Sequence, residues 1–380
     1  MVKNPKNTKP FYINISGRAG SGKTYFVNCI SVYAHTHGGY NFLLKAAPTG
    51  NAAFLIGGAT LHAMFKLPLQ SSTNKELPDL SQETVEELQG IFQNCKLLVI
   101  DEKSMVGLYM LYAIDKRLKE IKSTNSNIPF GGISVILMGD FAQLPPVRGK
   151  PLFTTDIKNL SHYQVLGKMI FDNFKITIIF DQIMRQQGDD QKQFRTVLDN
   201  LASSELTYPN WEYLRQRTLM GDGQISDSER NDFLKNATML CGKNRDLIEY
   251  NLLRIKALGT PYAIIKSNNS HADVANIMAS KAQGLPSQVV LAKDCKVILT
   301  VNLWKEAGLT NGAKGVVKYI VYEANTKPKA LPTMVIVEFP QYIGPSYLQE
   351  RHLMTKCVPI LPMRRVWYSG KKIVGELCFH

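Results

Sequence analysis

Residues 17–24 read Gly-Arg-Ala-Gly-Ser-Gly-Lys-Thr, and what flanks them constrains the fold more than any other feature of the chain. Upstream, Phe11, Ile13 and Ile15 alternate with Tyr12, Asn14 and Ser16, the two-residue period of a strand. Downstream, Phe26, Ile30 and Tyr33 recur at helical spacing until Gly38-Gly39 ends the run. Strand, glycine loop and helix are the setting in which Gly-x4-Gly-Lys-Thr becomes a phosphate loop. Backbone N–H groups at the helix start face phosphate oxygens, and the helix dipole favours negative charge there. Gly17, Gly20 and Gly22 are therefore expected at a phosphate site, with Lys23 reaching the β- and γ-phosphates and the Thr24 hydroxyl on Mg²⁺.

More strands of the same kind follow. NFLLKA (41–46), KLLVI (96–100), ISVILM (133–138) and ITIIF (176–180) are short apolar runs, with acidic residues at the C-terminal ends of KLLVI and ISVILM. Buried parallel strands have this composition, which predicts an α/β parallel sheet covered on both faces. Asp101 and Glu102 end the KLLVI run. A phosphate loop needs a neighbouring carboxylate to hold Mg²⁺, partly through its water shell, and a base to orient the attacking water. Asp101 fits the first role and Glu102 the second. In GDFAQLPPV (139–147), Gln143 is placed to sense the γ-phosphate or its water, and Pro145-Pro146 stiffens the turn behind it.

The second half reads differently. Residues 186–258 look largely helical, with TMLCG (238–242) as one further strand. From about residue 290, VILTVN, GVVKYIVYE and TMVIVEF are broken by Asn-Gly, Pro and Gly, which predicts a small β-barrel module. A formal net charge of +14 favours a polyanionic partner. Six cysteines without a Cys-x-x-Cys pair argue against a metal site or disulfide framework and point to reduced thiols, hence an intracellular, soluble protein. MVKNPKNTKP lacks the apolar stretch of a secretory signal, and no run approaches the ~18 apolar residues of a membrane span.

The order GRAGSGKT, APTGNAAFLIGGATLHAMF, LLVIDEKSMV, GDFAQLPPV and IMRQQGDDQKQF resembles the Pif-type branch of RecD-like superfamily-one DNA helicases. LCGKNRDLIEYN (240–251), VILTVNLWKEAGLTNGAKGVV (297–317) and VEFPQYIGPSY (337–347) are similar to that family's second half. The resemblance implies tandem RecA-like domains: residues 1–155 as the first, 156–290 as an incomplete second, and 291–380 as an inserted Src-homology-three-like barrel. It also implies ATP with Mg²⁺, 5′-to-3′ movement on single-stranded DNA or DNA with 5′ tails, and a monomer. Work in repair, recombination or telomere maintenance follows, in the nucleus if the source is eukaryotic.

Position by position, Thr49, Thr60, His62 and Phe65 match DNA-contacting motifs, although His62 and Phe65 read equally as core residues. Arg185 matches an arginine reaching the γ-phosphate from the second RecA-like domain. Arg364, Arg365, Lys371 and Lys372, with Trp367 and Tyr368, read either as phosphate and stacking contacts or as a solvated edge. Three departures stand out: no adenine-reading glutamine segment precedes the first strand, Lys103 stands where an apolar residue is usual, and the family's last motifs are not found before His380. The alternative expectation is a nucleotide- and DNA-binding remnant that hydrolyses slowly and does not unwind.

Overall fold

A computed structural model of the chain describes residues 9–68, 75–218, 225–269, 287–323, 331–347, 356–369 and 372–378, with side chains described up to residue 363. It divides into two compact units, Met1–Asn231 and Asp232–His380.

In the first unit, β1 (Tyr12–Gly17), β2 (Leu43–Ala47), β3 (Ala59–Thr60), β4 (Leu97–Ile100), β5 (Ser134–Gly139) and β6 (Ile176–Phe180) form one sheet, ordered β3-β2-β4-β5-β1-β6. Every pairing is parallel. The strand period sorts its side chains to two faces. Leu98, Ile100, Val135 and Leu137 pack with Phe92 of α4 (Gln82–Phe92), Leu111 of α5 (Leu108–Ile121) and Ile170 of α6 (His162–Phe171). Val99, Ile136 and Met138 pack instead with Ile15, with Val27 of α1 (Lys23–Gly38) and with Ala53 of α2 (Gly50–Leu55). Both faces are dry, so β4 and β5 read as unbroken apolar runs.

Helix starts follow local chemistry. Ser161 and Gln164 form a reciprocal capping box on α6, Thr49 caps α2, and Thr60 caps the single turn α3 (Leu61–Met64). Two expectations change. The first boundary does not fall at residue 155, because β6 pairs with β1 from Ile13↔Ile176 to Gly17↔Phe180 and completes the first sheet. TMLCG is not a strand: residues 237–241 are irregular and lead into a helix.

Helices α7 (Lys192–Ala202), α8 (Tyr208–Arg215), α9 (Asp227–Asn236) and α10 (Asn244–Lys256) follow. In the second unit β7 (Tyr262–Lys266) pairs antiparallel with β9 (Gln288–Ala292). The short β8 (Asn268–Asn269) joins β14 (Met363–Ser369) and β15 (Lys372–Cys378) in the order β14-β15-β8. β10 (Lys296–Ile298), β11 (Lys314–Val321), β12 (Met334–Glu338) and β13 (Cys357–Ile360) form a further antiparallel sheet in that order. One apolar core joins Ile265 and Leu291 to Val317, Val337 and Ile360. Among the described residues these strands form separate sheets, with β10 and β13 at the edges of theirs. Lys371 and the side chains of Arg364, Arg365, Trp367, Tyr368 and Lys372 lie outside the described residues. Among the described residues no helix is long and apolar enough to cross a membrane.

Candidate nucleotide-binding site

The strand ends of the first sheet open onto a cleft of ≈ 1070 Å³. Gly20, Gly22, Lys23 and Thr24 line it from the loop after β1, and Asp101 and Glu102 from the end of β4. Gln143 enters from the loop after β5 and Arg185 from the segment after β6. Four adjacent strands of one parallel sheet, β4-β5-β1-β6, thus bring together side chains far apart in sequence, where such sheets place ligands.

Gly22 precedes α1 at φ 91°, and no side chain caps that helix. Its first N–H groups are left for an external acceptor, which suits an anion. Ser21 Oγ is buried in the same loop with no hydrogen-bond partner among the described residues. Lys23 Nζ donates to the carbonyls of Gly17 at 2.6 Å and Arg18 at 2.9 Å, closing the loop on itself. Gly17 itself ends β1 and contributes that carbonyl rather than a wall of the cleft. Burial pushes the Lys23 pKa down, against the opposing pull of Asp101, Asp140 and Glu102.

Asp101 is buried, and one oxygen, Oδ1, accepts the Glu102 N–H at 2.9 Å. Burial raises its pKa, while that hydrogen bond and Lys23 lower it less. Glu102 holds a left-handed backbone, φ 53° and ψ 46°, a sparsely populated conformation for a residue with a side chain. Its carboxyl is pushed up chiefly by burial and then by Asp101, a direction suited to a general base. Among the described residues no cluster of three His, Cys, Asp or Glu could hold a metal. That donor set still suits Mg²⁺, which keeps most of its waters and takes one or two protein oxygens plus phosphates. Asp101 and Thr24 would be those oxygens.

Arg185 lies in the first compact unit, where the Met184 N–H donates to the Gly20 carbonyl at 2.8 Å. Gly20 has φ +84°, and a Cβ there would lie 2.5 Å from Arg185 Cβ, so the loop and this segment fit only with glycine.

The DNA-contact expectations separate. Thr49 lines the cleft, but its hydroxyl accepts from the Ala52 N–H at 3.3 Å as a helix cap. Thr60 does the same for Ala63 at 3.3 Å, at the β3 edge of the sheet. His62 is half-buried, and burial lowers its pKa. Phe65 is fully buried against Phe92, with ring centroids 5.7 Å apart. It is a core residue, and its ring is not offered to a base.

The sequence marks Lys103 only as a departure from an apolar position, and its polar contacts beneath the site are a finding of the structure. Lys103 is 0% exposed, and its ammonium donates to Asn14 Oδ1 at 2.6 Å, the Ile15 carbonyl at 2.9 Å and Ser16 Oγ at 2.5 Å. Its pKa is pushed down to about 8, mainly by burial, with Asp140 opposing and Lys23 adding to the shift. Its charge at a position where an apolar residue is usual was the available signal.

A doubly covered parallel sheet carrying a phosphate loop after its first strand and an acidic pair after a neighbouring one defines a RecA-like phosphate-loop domain. The profile of the PIF1-like helicase family matches residues 1–208, more than half of the chain, and the chain belongs to that family. It is 28% identical over 320 residues to the ATP-dependent DNA helicase RRM3 of Saccharomyces cerevisiae, covering 84% of this chain and 41% of that protein. To the ATP-dependent DNA helicase PIF1 of Homo sapiens it is 30% identical over 312 residues, covering 80% and 43%. It therefore spans a little under half the length of these two relatives. The crystal structure of Bacteroides Pif1 bound to single-stranded DNA shares the fold, with a TM-score of 0.62 at 22% identity over 98% of this chain and 77% of that one.

Proposed function

We propose that this chain binds and hydrolyses ATP in the β1–β4–β5 cleft and couples that turnover to 5′-to-3′ movement on single-stranded DNA. The observation carrying the reading is the convergence of Lys23, Thr24, Asp101, Glu102, Gln143 and Arg185 on one cleft. Lys23 exchanges the Gly17 and Arg18 carbonyls for β- and γ-phosphate oxygens, opening the loop as it fills. Thr24 and Asp101 would hold Mg²⁺, which would supply neutralisation of phosphate charge. Glu102 orients a water and takes its proton, Gln143 senses the γ-phosphate, and Arg185 adds positive charge on the open side of the loop.

The named relatives are ATP-dependent DNA helicases, and the Bacteroides structure was obtained with single-stranded DNA. A net charge of +14 supports a nucleic-acid track. Thr49, Thr60 and His62 are retained as candidate DNA contacts, together with three further assignments: the division into two RecA-like parts with a barrel, a monomeric state, and nuclear genome maintenance in a eukaryote. Strand separation on otherwise identical duplexes with a 5′ or a 3′ tail tests the reading. Unwinding of the 5′-tailed duplex alone supports it, and unwinding only from a 3′ tail refutes the polarity.

A further inference from the structure

We propose that Lys103 is a positioning residue for hydrolysis, a bridge from the acidic loop after β4 to the end of β1 that holds the Glu102 carboxylate in register with the phosphate loop. The inference rests on the ATP-hydrolysis reading above. In the sheet, β5 lies between β4 and β1, so Lys103 must cross the end of β5 to reach its partners. It does so over Gly139, which has φ +145°; a Cβ there would lie 2.8 Å from Lys103 N and 3.2 Å from its Cγ. The far end of the side chain then lands on three successive residues of β1, Asn14, Ile15 and Ser16, immediately before Gly17.

An ammonium has three donors, and all three are used on that one strand end. The Phe141 ring, 4.5 Å from Nζ to centroid, adds a contact with the loop that carries Gln143. All three acceptors are neutral, so the bridge is a poor stability device, because burying a cation is costly. What such directional bonds supply is geometry. Glu102 needs it, since its left-handed backbone is held by its own N–H on Asp101 Oδ1 on one side and by Lys103 on the other. When Lys23 leaves the Gly17 and Arg18 carbonyls for phosphate, the loop loses an internal tie, and the Lys103 bond to Ser16 still fixes its base.

The test compares the full chain with Lys103→Met and with Asn14→Leu/Lys103→Met, reading kcat and KM for ATP, nucleotide affinity by titration, and Tm. Lys103→Met is expected to lower kcat by about tenfold to a hundredfold, the scale of a misplacement near 1 Å, with nucleotide affinity within about threefold of the parent. The double variant replaces the buried polar pair by apolar atoms, so Tm is expected to recover while kcat stays low. A Lys103→Met kcat within about twofold of the parent overturns the proposal, as does a kcat that recovers together with Tm, since a structural role alone would give that. A parent chain with no nucleotide turnover at all overturns the hydrolysis reading itself and this proposal with it.

Discussion

Replacing Phe65 separates core packing from base stacking. Its ring is 0% exposed and sits among Leu61, Leu88, Phe92 and Leu98. Phe65→Ala removes the ring and leaves a cavity, a loss of about 3–5 kcal/mol. In a unit spanning Met1–Asn231 each kcal/mol moves Tm by about 2–4 °C, so the expected drop is roughly 6–20 °C. Phe65→Leu keeps most of the buried volume and is expected to cost less than about 1.5 kcal/mol. Thermal unfolding of both variants, with fluorescence-anisotropy titration of a labelled oligothymidylate, reads both quantities. Phe65→Leu is expected to bind the oligonucleotide within about twofold of the parent, because no ring is lost from the surface. The reasoning is refuted by a Phe65→Ala chain that melts with the parent. It is equally refuted if Phe65→Leu keeps its Tm yet binds roughly 5–150-fold more weakly, the loss of one stacked base at about 1–3 kcal/mol.

Lys23→Ala is expected to abolish Mg-ATP binding, since Lys23 is the one lysine lining the cleft among the described residues; unchanged affinity by calorimetry contradicts the phosphate-loop assignment. Glu102→Gln is expected to preserve ATP affinity while slowing turnover by about 10²–10⁴. The same residue sets a pH dependence: the base works deprotonated and its pKa lies above the ordinary 4.5, so kcat falls as pH drops through a value higher than 4.5. An acid limb at or below that value places the base elsewhere. Oligonucleotide affinity is expected to fall linearly on a log–log plot against salt and to ignore base sequence, and a flat salt response contradicts a phosphate-tracking surface.

How far the sequence reached depended on whether one segment carried its own signal. β4 and β5 were legible because burial on both faces makes an apolar run, and the acidic residues behind them mark the site end of the sheet. β6 was legible as a strand, but its partner β1 lies more than 150 residues away, so its place in the first sheet was not. TMLCG has strand composition but pairs with no strand among the described residues, and strand propensity is decided by such neighbours. The nucleotide residues were legible because the phosphate loop is local. Thr49, Thr60 and Phe65 were not resolved, since composition does not tell a cap or a core ring from a DNA contact. Lys103 was legible as a departure from an apolar position, but its bonds were not, because its acceptors stand 87 to 89 positions away.

Lys23, Asp101, Glu102 and Arg185 line one cleft, and the proposed function requires that cleft to hydrolyse ATP in response to single-stranded DNA. The direct measurement is steady-state ATP turnover by the purified chain with Mg²⁺, with and without a saturating oligothymidylate, beside Glu102→Gln under the same conditions. Turnover is expected to rise on adding the oligonucleotide and to be lost in Glu102→Gln. Turnover indifferent to DNA, or persisting at the parental rate in Glu102→Gln, contradicts the proposed function.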